Sequence, residues 1–430
     1  MSRYIETVTP DSLSGAIFAM EGVDRAIVLL NGPTGCKYYH SAISDNQLIR
    51  QSDFDPLKYP FTWYFGQPRV PCTYVDNDDY VYGGEEKLVA ALEFLRDNIP
   101  FDFLAIVNSP GMSLIGDDIA GIARRVLGDR PHLAIETPGF SQDVCQGHEL
   151  AALALLRSIG FDEGVQAVSK RVNILGMSLS QIHHYGDALE IRRLLEGCGL
   201  EIGCALCAGS SLDEIRSIPS AAANIVIYPE FGIETARYLE ERFGIPAYVC
   251  DGPPIGFDAT ERLLEGICEL VGGSPEPMLE ECCDARARAF AFISRVNSIS
   301  GMPNGVAYAM EGCCSELCSY MEALTGYMGM TLTGATVLNP QTSQWYPRLS
   351  QMAADYGFPE ALSVDAGDAQ ADIVLGSGNT IAALKAQRKV FVGIETSLPT
   401  IGYYDLVPKT FLGINGTMQL LESVINALPF

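Results

Sequence analysis

The chain has 430 residues, too many for one compact domain, so two or three are expected. It is 48% hydrophobic, enough for large buried cores, and carries a formal net charge of −25. That charge excludes nucleic-acid binding, which needs clustered Lys and Arg against phosphates, and disfavours an anionic membrane surface. The opening "MSRYIETVTPDSL" has no basic segment followed by an apolar one, and no uncharged apolar run approaches the roughly 18 residues of a membrane helix. The expectation is a soluble cytoplasmic protein. Its thirteen cysteines then read as buried small hydrophobes, metal ligands or reactive thiols rather than disulfides.

In chain order the short Val/Ile/Leu runs are "RAIVLL", "FDFLAIV", "HLAIE", "RVNILGMS", "EIGCAL", "NIVIYP", "AYVCDG", "GVAYAM", "GMTLTGATV", "ADIVLGS" and "KVFVGIE". Between them lie helical patterns such as "EEKLVAALEFLRDN", "GDALEIRRLLEGCG", "GIETARYLEERFG" and "GTMQLLESVINAL". Continuous apolar runs alternating with helices predict buried parallel strands in an α/β fold. The stretch "AANIVIYPEFGIETARYLEERFGIPAYVCDGPPIG" shares its grammar with "QADIVLGSGNTIAALKAQRKVFVGIETSLPTIG", and "FLAIVNSPGMSLIGDDIAGIARRV" is a looser copy. The reading is three doubly wound domains, 1–168, 169–285 and 286–430, with "EECCDARARAFAFISRVNSI" as a long helix leading into the third. Ligands in such sheets bind beyond the carboxyl ends of the strands. The loops to watch are therefore "NGPTGC", "NSPGMS", "TPGFSQDVCQGH", "CAGSS", "YPEFG", "EGCC" and "GSGN".

No GxxxxGK[ST] and no early GxGxxG is present, so the chain is not expected to hydrolyse ATP or bind a nicotinamide. The glycine loop "NGPTGCKYYH" follows a strand but carries Cys36 where a nucleotide loop places Lys and Ser/Thr. Cys313, Cys314 and Cys318 fall at a strand-to-helix turn, Cys314 and Cys318 on one helix face. Cys204 and Cys207 fall at a strand end, and both groups read as buried thiols. Cys198, Cys250, Cys268, Cys282 and Cys283 read as core, and His183 with His184, on a strand-end loop, as a cavity candidate but first as a solvated loop pair. "DNDDY" lacks the frame of a calcium loop and is assigned no metal.

Together, "GPTGC", "YFGQPRVPCTYVDNDDYVYGGEEKL", "NSPGMSLIGDDI", "TPGFSQDVCQGH" and "FLGINGTMQLLESVINAL" resemble the nitrogenase component 1 superfamily, over nearly the whole chain. That superfamily includes nitrogenase subunits, cofactor scaffold proteins and reductases of tetrapyrrole biosynthesis. The resemblance implies three Rossmann-like domains around a central cavity. It implies that Cys36, with Gly35 beside it, and Cys72 ligate an iron–sulfur cluster at a subunit interface. The third family cysteine is replaced by Pro110, with Ser109 adjacent. A four-iron cluster wants about four protein ligands, so two thiolates per chain imply a [4Fe-4S] cluster bridging a homodimer, or a heterodimer with a paralogue.

The position of a cofactor cysteine reads Tyr228, and "SLPTIGYYDLVPKTFLG" holds no cofactor histidine, so an ordinary iron–molybdenum cofactor is not expected. His148 matches a substrate-pocket histidine and is the candidate proton donor, with Cys145 beside it. Cys313 and Cys314 are candidates for a cavity holding a second metallocluster or a tetrapyrrole. The function implied is the catalytic component of a nitrogenase-like reductase, an enzyme fed by an ATP-dependent Fe-protein. The alternative is a non-catalytic scaffold for metallocluster assembly, and a cluster-free binding protein is a third class.

Overall fold

The computed structural model describes residues 10–37, 58, 70–137, 139–162, 164–340, 342–397 and 405–428. Tyr38–His40, Tyr64–Arg69, Pro138 and Leu398–Tyr404, parts of the motifs quoted above, lie outside the described residues. Three parallel sheets form the frame. The strands are β1 (Ala26–Asn31), β2 (Phe103–Asn108), β3 (His132–Glu136), β4 (Val168–Leu175), β5 (Glu201–Ala205), β6 (Ala221–Val226), β7 (Ala247–Val249), β8 (Ala307–Gly312), β9 (Thr331–Val337), β10 (Ile373–Ser377) and β11 (Val392–Ser397). Their orders are β1-β2-β3, β5-β4-β6-β7 and β11-β10-β8-β9, all parallel. The continuous apolar runs are strands because helices cover both faces: every residue of β1, β2 and β10 is buried.

The chain divides into two compact units. The first comprises Pro10–Gly160 with Leu206–Arg216, the second Phe161–Ala205 with Ser217–Phe430. In the first, β1 and β2 pair in register from Ala26 opposite Phe103 to Asn31 opposite Asn108. Their apolar side chains pack with the helices Glu85–Asn98 and Ile119–Leu127 into one core containing Ile27, Leu29, Leu92, Leu104 and Ile122. The helix Ser12–Glu21 is buried along its whole length. It lies on the helix Val144–Ser158 at contact distance: a Cβ on Gly147 would sit 2.1 Å from the Ser12 carbonyl oxygen. The second unit holds the other two sheets.

Leu206–Arg216 belongs to the first unit although its neighbours in sequence belong to the second. Gly209 N–H donates to the Gly22 carbonyl at 2.7 Å, and Asp24 N–H to that of Ser210 at 2.9 Å. Cys207, fully buried, takes φ of 57° to make the approach. A Cβ on Gly22 would lie 1.9 Å from the Cys207 carbonyl oxygen, backbone that cannot step aside. Gly22→Ala is therefore expected to cost on the order of 3 kcal/mol. Urea unfolding would read this as an earlier transition, and an unchanged midpoint would refute the tight seam.

Candidate functional site

Chemistry-bearing residues gather at the carboxyl ends of the strands in each unit. In the first, β1 runs into Gly32-Pro33 and the single turn Thr34–Lys37, where Cys36 N–H donates to the Pro33 carbonyl at 3.1 Å. Cys72 arrives beside the same strand in a parallel bridge to Leu30, fixed by Leu30 N–H to the Pro71 carbonyl (2.9 Å) and Thr73 N–H to that of Leu30 (3.0 Å). The Cys72 Sγ is buried and lies 3.8 Å from Thr34 Oγ1. Cys36 is half-buried. Burial, then the carboxylate of Asp11, then Cys72 push the Cys36 thiol up. A Cβ on Gly35 would meet nothing within 4 Å among the described residues.

A polar network lies beneath this turn. The strand register sets Asn31 opposite Asn108, and Asn31 Nδ2 donates to Asn108 Oδ1 at 2.9 Å. Thr73 Oγ1 donates to Asn31 Oδ1 and accepts from Gly32 N–H, both at 3.0 Å. Asn108 Nδ2 donates to both oxygens of Glu136, at 3.0 and 2.9 Å. Cys145 and His148 sit in the first turns of the helix Val144–Ser158, at 3% and 1% exposure, on an element pressed against the helix Ser12–Glu21.

In the second unit the loops after β4, β6 and β8 bring together a buried acidic group. Glu230, after β6, accepts from Ser315 N–H at 2.8 Å, from Ser343 Oγ at 3.0 Å and from Ser315 Oγ. It thereby faces the positive end of the helix Cys314–Met321. Glu316 in that first turn is buried. Burial pushes its carboxyl up to about 8 against the bond from Cys313 N–H, with Glu230, Asp187 and Glu311 adding to the rise. Burial pushes Asp187 up to about 6, although it accepts from Thr410 Oγ1 at 2.7 Å and is opposed by His183. Tyr228 and Tyr320 are both raised, first by burial and then by these acids. At neutral pH Glu316 mostly keeps its proton.

His183 is not solvated. It is 3% exposed, its Nδ1 lies 2.8 Å from Asp405 Oδ2, and the Phe411 ring packs against it at 4.6 Å. The enclosing residues come from more than 200 positions later, which no local pattern could signal. Cys313 caps the helix Cys314–Met321. Cys314 is fully buried, donates from Sγ to the Asn339 carbonyl at 3.9 Å, and is pushed up to about 12 by burial, as is Cys318. These are dry, protonated thiols. Cys204 is the penultimate residue of β5 and Cys207 lies in the returning segment; both are buried. Cys283 corrects the core reading: it is exposed, one step around the long helix Glu276–Ser300 from buried Cys282. Among the described residues no group of three or more His, Cys, Asp or Glu side chains is placed to hold a metal ion, and no helix is long and apolar enough to cross a membrane.

The sequence model of the nitrogenase component 1 type oxidoreductases matches residues 12–429. Among curated proteins, the nitrogenase iron-molybdenum cofactor biosynthesis protein NifE of Bradyrhizobium diazoefficiens is 24% identical over 97% of this chain and 73% of its own length. A light-independent protochlorophyllide reductase polypeptide of Trichormus variabilis is 22% identical over 93% of this chain and 78% of its own. Among solved structures, one described as nitrogenase Cp1 at pH 6.5 superimposes with a TM-score of 0.76 at 15% identity, covering 98% of this chain and 93% of the other.

Proposed function

The chain belongs to the nitrogenase component 1 type oxidoreductase family, and from that premise we propose that it is the electron-accepting, catalytic component of a nitrogenase-like reductase. Cys36 and Cys72 hold a [4Fe-4S] cluster that two copies of the chain share, and a separate ATP-dependent Fe-protein delivers the electrons. When bound, the cluster supplies one-electron transfer. The observation that carries this reading is the meeting of Cys36, on the turn Thr34–Lys37, and Cys72, bridged to Leu30, at the carboxyl end of β1. The donor set fits half a cluster. Cys36 is a reluctant acid while metal-free, so its thiolate forms when a metal ion displaces the proton. Two soft ligands per chain leave two to come from a second copy. Tyr74, Tyr82 and Leu114, on the segments that follow Cys72 and β2, are 67%, 86% and 90% exposed, as surfaces that meet another protein are.

The substrate is a tetrapyrrole or a second metallocluster, and its protons come from groups such as His148. A cofactor scaffold is the second reading, favoured by the similarity to a protein named for cofactor biosynthesis over 97% of this chain. The test is iron and acid-labile sulfide per dimer on anaerobically purified protein, with EPR after dithionite. Addition of an ATP-dependent Fe-protein and substrate follows. About four irons per dimer and repeated reoxidation of the reduced signal support the reductase. Transfer of metal to an acceptor without turnover supports the scaffold. Absence of iron even after reconstitution overturns both.

A further inference from the structure

Thr34 opens the single turn that carries Cys36, yet its side chain reaches the other thiol: Thr34 Oγ1 lies 3.8 Å from Cys72 Sγ. Thr34 is exposed and Cys72 is buried, so the hydroxyl gives this sulfur a polar neighbour at the surface. Backbone bonds hold both ends of the contact. Cys36 N–H to the Pro33 carbonyl, at 3.1 Å, closes the turn. Leu30 N–H to the Pro71 carbonyl and Thr73 N–H to that of Leu30 clamp Cys72 from either side. The hydroxyl next to Cys72 in sequence is engaged elsewhere: Thr73 Oγ1 donates to Asn31 Oδ1 and accepts from Gly32 N–H.

Without metal, either atom of the Thr34–Cys72 contact can donate, because a hydroxyl and a thiol each carry one hydrogen. A metal ion removes that choice. It displaces the thiol proton, the sulfur becomes an acceptor with nothing to give, and only the O–H···S direction remains. A bond to a charged acceptor is also the stronger kind.

We propose that Thr34 is a positioning residue for the redox group held by Cys36 and Cys72, donating a hydrogen bond from its hydroxyl to the Cys72 sulfur and raising the reduction potential. The proposal rests on the cluster reading above. Reduction adds negative charge that is shared with the ligand sulfurs, so a donor there stabilises the reduced form more than the oxidised one. With two copies sharing one cluster, the contact is made twice.

The experiment is an EPR-monitored redox titration of anaerobic wild type, Thr34→Val and Thr34→Ser, with iron per dimer measured on each. Valine keeps the branched shape without the hydroxyl, and the position is exposed, so the iron content is expected to hold. The reduced-to-oxidised ratio of Thr34→Val at fixed poise is expected to fall roughly tenfold over the two lost bonds, about 59 mV for one electron. Thr34→Ser, which keeps the hydroxyl, stays near wild type. A valine variant with full iron and an unmoved midpoint overturns the proposal and leaves the cluster reading standing. So does a serine variant, loaded with iron, that titrates like valine. Iron lost from the valine variant and kept by the serine variant also overturns it, because the hydroxyl would then hold the group rather than set its potential. Wild type that holds no iron overturns both.

Discussion

If the two chains share a [4Fe-4S] cluster as proposed, Cys36→Ala and Cys72→Ala are each expected to lower the iron of the anaerobic dimer from about four to near zero, with loss of the dithionite-reduced EPR signal. The loss is complete because of symmetry. In a homodimer every substitution is made twice, so one codon change removes two of four ligands. The remaining pair sits on opposite chains and cannot close a four-iron group. A dimer with a paralogous chain would lose one ligand of four and retain part of its iron. The degree of loss therefore separates the two assemblies. Unchanged iron in either variant would remove these cysteines from the site.

The second large effect belongs to Glu316. Burial holds its folded-state value near 8, against an ordinary 4.5 for the exposed side chain. Below the ordinary value both states carry the proton and the group costs nothing. As pH climbs from there, the unfolded chain gives up its proton while the native one keeps it, so stability falls until the pH passes about 8. Glu316→Gln preserves an oxygen that can accept from Cys313 N–H and has no proton to lose. Its advantage over wild type is expected to widen by roughly 3 kcal/mol between pH 6 and pH 9. Urea unfolding of the two proteins at both pH values measures it. Parallel pH dependences would show that Glu316 reaches solvent in the native state.

Much of the frame was legible because parallel strands buried on both faces leave a local signature. "RAIVLL" and "ADIVLGS" needed no partner to be read as strands, and they are β1 and β10. The thiol turn was legible for the same reason, since glycine, proline and cysteine lie within six residues of one strand end. What escaped was whatever depends on distant chain. Nothing near His183 announces Asp405 or Phe411. Glu230 lay in a loop marked for attention, but its role depends on Ser315 and Ser343, 85 and 113 positions away. Cys282 and Cys283 are chemically identical neighbours that only the packing of their helix tells apart.

The returning segment Leu206–Arg216 also sets a timetable for synthesis. Gly22 and Asp24 leave the ribosome early, but their backbone partners at 207–210 follow far behind, and the first unit is not complete until Arg216 has emerged. From residue 160 that is a further 56 residues, roughly 3–11 s at ordinary translation speed. During that interval the carboxyl end of the helix Ser12–Glu21 is exposed to whatever else is nascent or nearby. A chain interrupted at the apparent end of its first sheet thus presents an unfinished surface to chaperones rather than a finished domain.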